Sequence, residues 1–188
     1  MTYGKDFNEF EVKDTSFKFV DEETYTKVGC VGSVEETLNS KIVTKKCEGV
    51  VKKTKVRGDG TGELKASLHM VYDLFLKTYG MMSDGLVDGV YSYGKNSRHL
   101  EFAMVCKMLD EDGNVKYKAY PNCMVTSGIS RKTENGAEEV AEMELTISLM
   151  PDDFGQCEYE ALETQLTEDV KAKWMTEFTP ELVQVASA

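Results

Sequence analysis

Alternation of apolar and polar residues is the feature that most constrains this chain, because a period of two fits a half-buried strand and not a helix. In Glu142–Leu149 the residues Met143, Leu145, Ile147 and Leu149 share one side, and Glu142, Glu144, Thr146 and Ser148 share the other. Leu64, Ala66, Leu68 and Met70 alternate in the same way with Glu63, Lys65, Ser67 and His69. Leu100–Leu109 gathers Leu100, Phe102, Met104, Cys106 and Met108 on one side. Its other side, Glu101, Ala103, Val105, Lys107 and Leu109, is itself partly apolar. A strand apolar on both faces calls for cover on both, from a helix or from a neighbouring subunit.

Turn residues separate these strands. Asp112-Gly113 marks a hairpin turn after Leu109. Val115–Ala119 and Cys123–Thr126 then read as a return strand, with Pro121 at a bend or edge because it has no N–H for a ladder. Glu48-Gly49 between Lys41–Cys47 and Val50–Arg57 predicts a long basic hairpin, and Gly58-Asp59-Gly60-Thr61-Gly62 is expected to break it from the strand at Glu63. Helical spacing of Val71, Leu74, Phe75 and Thr78, followed by Gly80, predicts a helix over Val71–Tyr79 with a glycine cap. A second helix is expected from Glu168 to Phe178, with Thr167 as its cap and Pro180 after its end. A chain of 188 residues suffices for one well-buried core and is short for two.

Charge and chemistry narrow the function. Net charge is −11, which argues against a general affinity for nucleic acid or anionic membranes. The charge is uneven: from Lys41 to Arg57 stand seven basic residues and one acid. That island is either a solvated hairpin face or a surface that docks on the acidic remainder of another copy. The N-terminal residues carry charges where a signal peptide would be apolar, and no apolar run is long enough to span a bilayer. Cys30, Cys47, Cys106, Cys123 and Cys157 occur singly, so they are expected to be reduced thiols buried as small hydrophobes. No zinc-ligand spacing occurs, and no cofactor or metal is expected.

Candidate catalytic features fail on their own chemistry. The glycine run at 58–62 leads into a strand rather than a helix N-terminus, and Asp59 and Glu63 would repel phosphate. Asp110-Glu111-Asp112-Gly113-Asn114 starts like a calcium loop, yet the glycine position would hold Val115 and the bidentate glutamate position Pro121. His69 and His99 lack any nucleophile motif and are expected at a surface or interface. Glu138-Glu139 and Asp152-Asp153 are adjacent pairs, which on a strand point to opposite faces. No catalytic residues are assigned.

From Lys116 to Ala161 the chain resembles the major tail tube protein of long, flexible, non-contractile tailed phages of Gram-positive bacteria. The residues that carry the resemblance are Ala119-Tyr120-Pro121-Asn122-Cys123, Glu134-Asn135-Gly136-Ala137-Glu138-Glu139, the strand Val140–Leu149, and Met150-Pro151-Asp152. Gly60-Thr61-Gly62, Glu63–Met70, Val71–Tyr79 and Gly80-Met81 add to it upstream, so that it spans most of residues 17–161. None of these segments is a chemical signature; their order and combination make the likeness.

The resemblance implies a mainly β fold: a β-sandwich or flattened barrel with a flanking helix, a long hairpin and extended terminal arms. It implies a single tail-tube domain with a core over 17–161 and arms over 1–16 and 162–188. The arms should be mobile in an isolated subunit, since they are polar with scattered aromatics (Phe7, Phe10, Trp174, Phe178) and show no clean apolar face. It implies hexameric rings stacked into a tube that conducts DNA without specific binding, with tape measure and terminator proteins as neighbours, and no membrane. The location would be the virion, after assembly in the host cytoplasm. Lys41, Lys45, Lys53, Lys55 and Arg57 are then the candidate ring-stacking surface, and Glu142 and Glu144 the candidate lumen acids. A phage-tail-like particle fits the same reading. The competing readings are a monomeric virion adaptor or receptor-binding β-sandwich, and an enzyme using His69 or His99.

Overall fold

The structure is a computed structural model that describes residues 6–136 and 138–185. Among these residues, eight strands form one antiparallel sheet: β1 (Glu11–Phe19), β2 (Thr26–Lys27), β3 (Gly29–Cys47), β4 (Val50–Met70), β5 (Glu101–Leu109), β6 (Val115–Val125), β7 (Met143–Met150) and β8 (Tyr159–Leu162). Helix α1 (Tyr72–Thr78) follows β4, and α2 (Glu168–Glu177) follows β8. The order across the sheet is β2-β1-β5-β6-β7-β4-β3, with β8 on β6. The ends of that order curl toward each other. The Val28 N–H bonds to the Thr15 carbonyl at 3.0 Å, and β1 packs on β3. The mainly β, flattened-barrel expectation holds.

The alternating strands behave as their pattern dictates. Leu64, Ala66 and Leu68 of β4 and Leu145, Ile147 and Leu149 of β7 bury the same side, register-paired as Leu64–Ile147 and Ala66–Leu145. Phe17 and Phe19 of β1 meet Phe102 of β5, with Phe17 stacked on it at 4.2 Å between ring centres. Leu74, Phe75 and Tyr79 close this core from α1 and the residue after it. Gly80 ends the helix with φ of +55°, and a Cβ there would lie 1.8 Å from the Arg98 carbonyl oxygen. Only glycine fits that position.

Pro121 lies within a continuous β6 and marks a change of partner. Lys116–Ala119 pair with β8, whereas Asn122–Val125 pair with β7 on the same side. The missing proline N–H falls where one ladder hands over to the other.

The outer face of β5 and β6 is covered by a helix, the first of the two possibilities that Leu100–Leu109 left open. Val105, Tyr117 and Ala119 are buried under Trp174 and Phe178, with Val170, Met175, Leu182 and Val183 around them. Residues 166–183 therefore have an apolar face, contrary to the expectation that this arm lacks one; residues 1–5 and 186–188 of the two expected arms lie outside the described residues. At the other end, β1 begins at Glu11 and pairs with β5 from there, so residues 11–16 lie in the sheet rather than in a tail. Two further expectations are corrected. The glycines at 58, 60 and 62 do not break the hairpin from the next strand, because β4 runs unbroken from Val50 to Met70. Cys30 and Cys47 are exposed, whereas Cys106, Cys123 and Cys157 are buried.

Candidate assembly interface

The hairpin of β3 and β4 outgrows the barrel. Pairing of β4 with β7 ends at Gly62–Leu149, and from there to the turn β4 has only β3 as a partner. Every residue from Asn39 to Asp59 is exposed. About ten residues per strand at ~3.3 Å each make a two-stranded ribbon roughly 30 Å long. At its tip Glu48 and Gly49 both have positive φ, 50° and 79°, as a two-residue turn matched to strand twist requires. At its root Leu38 pairs with Gly62 and Ser40 with Gly58, so Asn39 alone faces Asp59, Gly60 and Thr61. The glycine run supplies this irregularity: Gly60 has φ of +80°, and a Cβ on Gly62 would lie 2.8 Å from the Leu38 side chain.

The register sorts the ribbon's side chains. Lys41 pairs with Arg57, Val43 with Lys55, and Lys45 with Lys53, so all five predicted cations stand on one face. Ile42 with Val56 and Thr44 with Thr54 form the other face. Beyond Lys45 the register slips again. Among the described residues, none of the basic side chains from Lys41 to Arg57 forms an ion pair. Lys41–Arg57 and Lys45–Lys53 set like charges directly opposite each other, which destabilises a strand pair. An isolated two-stranded ribbon is marginal in water even without that cost.

The far end of the same strands is acidic. The loop before β7 and the start of that strand place Glu134, Glu138, Glu139, Glu142 and Glu144 around a groove beside Ser67 and His69. Glu142 folds over Gly32, where a Cβ would meet its carboxylate at 2.2 Å. Glu144 pairs in register with Ser67, on the polar outer face of β3, β4 and β7. That face carries Ser33, Glu35, Thr37, Glu63, Lys65, Thr146 and Ser148, and neither helix packs on it among the described residues.

A buried charge cluster lies inside the barrel near the ribbon's root, and sequence reasoning missed it. Lys118 of β6 is 4% exposed, and its Nζ pairs with Glu36 of β3, with Glu158 at 3.1 Å and with Glu9 at 3.1 Å. Lys116 pairs with Glu9 at 2.7 Å and Glu160 at 3.0 Å. Burial and then the neighbouring Glu36 charge push the Glu158 carboxyl up to about 7, against the pull of Lys118. Burial opposes the Lys118 charge, yet its carboxylate partners outweigh it and raise the ammonium above its ordinary value. The cluster ties the N-terminal segment, the ribbon root, β6 and the approach to β8 into one unit. The available signal was weak: Lys116 and Lys118 alternate with Tyr117 and Ala119, so both sides of that strand needed cover.

His99 and Asp110 are tied into the fold by their contacts. His99 Nδ1 lies 2.6 Å from the Val125 carbonyl oxygen, its Nε2 lies 3.0 Å from the Tyr93 hydroxyl, and its ring meets Tyr79 edge-on. Asp110 accepts hydrogen bonds from the Asn114 side chain and from the backbone N–H groups of Asn114 and Asp112, which hold its carboxyl below the usual range. It is the clasp of a hairpin turn. No group of histidine, cysteine and carboxylate side chains among the described residues is placed to hold a metal ion.

No protein-family model matches the sequence, and no curated protein does. Among solved structures the chain is similar to the tube-terminating cap of the anti-feeding prophage, at 8% identity and a TM-score of 0.47, covering 86% of this chain and 95% of that one. It is also similar to a chain of the anti-feeding prophage baseplate, at 12% identity and a TM-score of 0.39, covering 86% of this chain and 97% of the other.

Proposed function

We propose that this chain is a structural tail tube subunit that self-assembles into stacked hexameric rings and so forms a conduit for phage DNA. The observation that carries the reading is the ribbon of residues 39–59, exposed on both faces and opposing like charges across its strands. A segment that is costly to its own subunit makes sense when a partner completes it. The order of segments that resembles phage tail tube proteins names the kind of assembly. Its further partners would be the tape measure and terminator proteins, and its place the virion. The polar outer face of β3, β4 and β7, with Glu63 and Glu144, suits a conduit wall, because carboxylates repel the phosphate backbone and let it slide. Nothing in this role requires a catalytic centre.

Electron microscopy of the concentrated protein, paired with sedimentation across a dilution series, tests the reading. Rings and tubes that appear with rising concentration are expected. A monomer at every concentration would reject self-assembly and leave the virion adaptor as the better account.

A further inference from the structure

We propose that the cationic face of the ribbon docks in the acidic groove of a second copy, formed by Glu134, Glu138, Glu139 and Glu142 beside His69. The inference deepens the tube reading by naming the two surfaces that meet, and it rests on that reading only for the identity of the final assembly.

Three observations carry it. The ribbon's cations have no anionic partner among the described residues of their own subunit, as described above. Glu138, Glu139 and Glu142 likewise have no cationic partner among the described residues, and Glu134 has only the neighbouring Lys132, at 2.9 Å in an exposed pair. Third, the two surfaces lie at opposite ends of one strand. β4 runs from the ribbon tip at Val50 down to Met70, and the groove sits beside Ser67 and His69. From Lys53 to Ser67 is roughly 45 Å of extended chain, so the two charges cannot meet within one subunit.

That placement sets the symmetry of the contact. A donor surface at one end and an acceptor at the other make a heterologous, head-to-tail interface, which repeats along an axis instead of closing on itself. Displacement of one copy along the strand direction brings a ribbon to a groove, and every further copy repeats the contact. The opposed like charges of Lys41–Arg57 and Lys45–Lys53 are relieved when carboxylates lie over them. Each exposed ion pair is weak alone, changing affinity by up to roughly fivefold, but several pairs act together at each junction.

The test uses two full-length variants. One reverses the ribbon (Lys45→Glu, Lys53→Glu, Lys55→Glu); the other reverses the groove (Glu134→Lys, Glu138→Lys, Glu139→Lys). All six positions are exposed, so both variants should keep the circular dichroism and melting of the unmodified subunit. In sedimentation velocity at low salt, each variant alone should self-associate at least about tenfold more weakly than the unmodified protein. An equimolar mixture should recover association, because each ribbon then meets a groove of opposite sign. Raised salt should weaken the recovered contact. A mixture that stays as dissociated as its components overturns the pairing, whether or not the unmodified protein makes tubes. Association of the mixture without tubes from the unmodified protein would keep the pairing and remove the tube reading.

Discussion

Trp174 is the only tryptophan in the chain, so the docking of α2 can be read directly from its fluorescence. Its side chain is 1% exposed, its Nε1–H donates to the Lys118 carbonyl at 3.3 Å, and its ring centre lies 4.8 Å from Phe178 and 5.8 Å from Tyr117. Burying a tryptophan removes about 150–250 Å² from water. At ~25 cal/mol per Å² this corresponds to roughly 4–6 kcal/mol, an upper figure because unfolded chains already shield part of that area. Trp174→Ala should therefore cost about 3–5 kcal/mol and lower the melting temperature by roughly 6–20 °C. Trp174→Phe keeps most of the ring but gives up the hydrogen bond to Lys118, and should cost less. In the dilute, unmodified monomer, emission should be blue-shifted and resistant to acrylamide, and it should change in the same denaturant transition as the sheet. Native emission and quenching like those of free tryptophan would refute the argument. So would an alanine variant with an unchanged midpoint, and the segment after Leu162 would then be a free arm.

Glu158 predicts a pH dependence. Because its folded carboxyl is raised to about 7 from 4.5, its contribution is complete below the lower value and is lost as pH rises through the upper one. Between pH 5 and 8.5 the subunit should lose roughly 2–3 kcal/mol from this group, and Glu158→Gln should flatten that slope in a melting series; an equal slope in both proteins would rule it out. If the β4–β7 outer face lines a conduit, tubes of the unmodified protein should not retain duplex DNA at physiological salt, whereas a Glu63→Lys, Glu144→Lys variant should. Tight, salt-sensitive retention by the unmodified protein would contradict an acidic wall. Gly80→Ala should destabilise by roughly 2 kcal/mol or more, from its positive φ and its contact with the Arg98 carbonyl, as denaturant titration would show.

What the sequence alone determined was local. Alternation in Glu63–Met70, Leu100–Leu109 and Glu142–Leu149 marked strands correctly, because a period of two is a property of neighbouring residues. Gly80 and Glu48-Gly49 marked a helix end and a hairpin turn, since the conformations they adopt are decided by their own backbones. The two-sided apolar character of Leu100–Leu109 demanded a cover without saying which. Tertiary structure supplied α2, although Val170, Trp174 and Phe178 at intervals of four already outlined its buried stripe. The charged island at Lys41–Arg57 was visible as composition. Its gathering of five cations on one face depended on strand register, and its distance from the acidic loop depended on the path of β4. The Lys118 cluster lay furthest from any sequence signal. Glu9, Glu36 and Glu158 converge on one ammonium only because the sheet curls, and a curl is set by contacts between residues far apart in the chain.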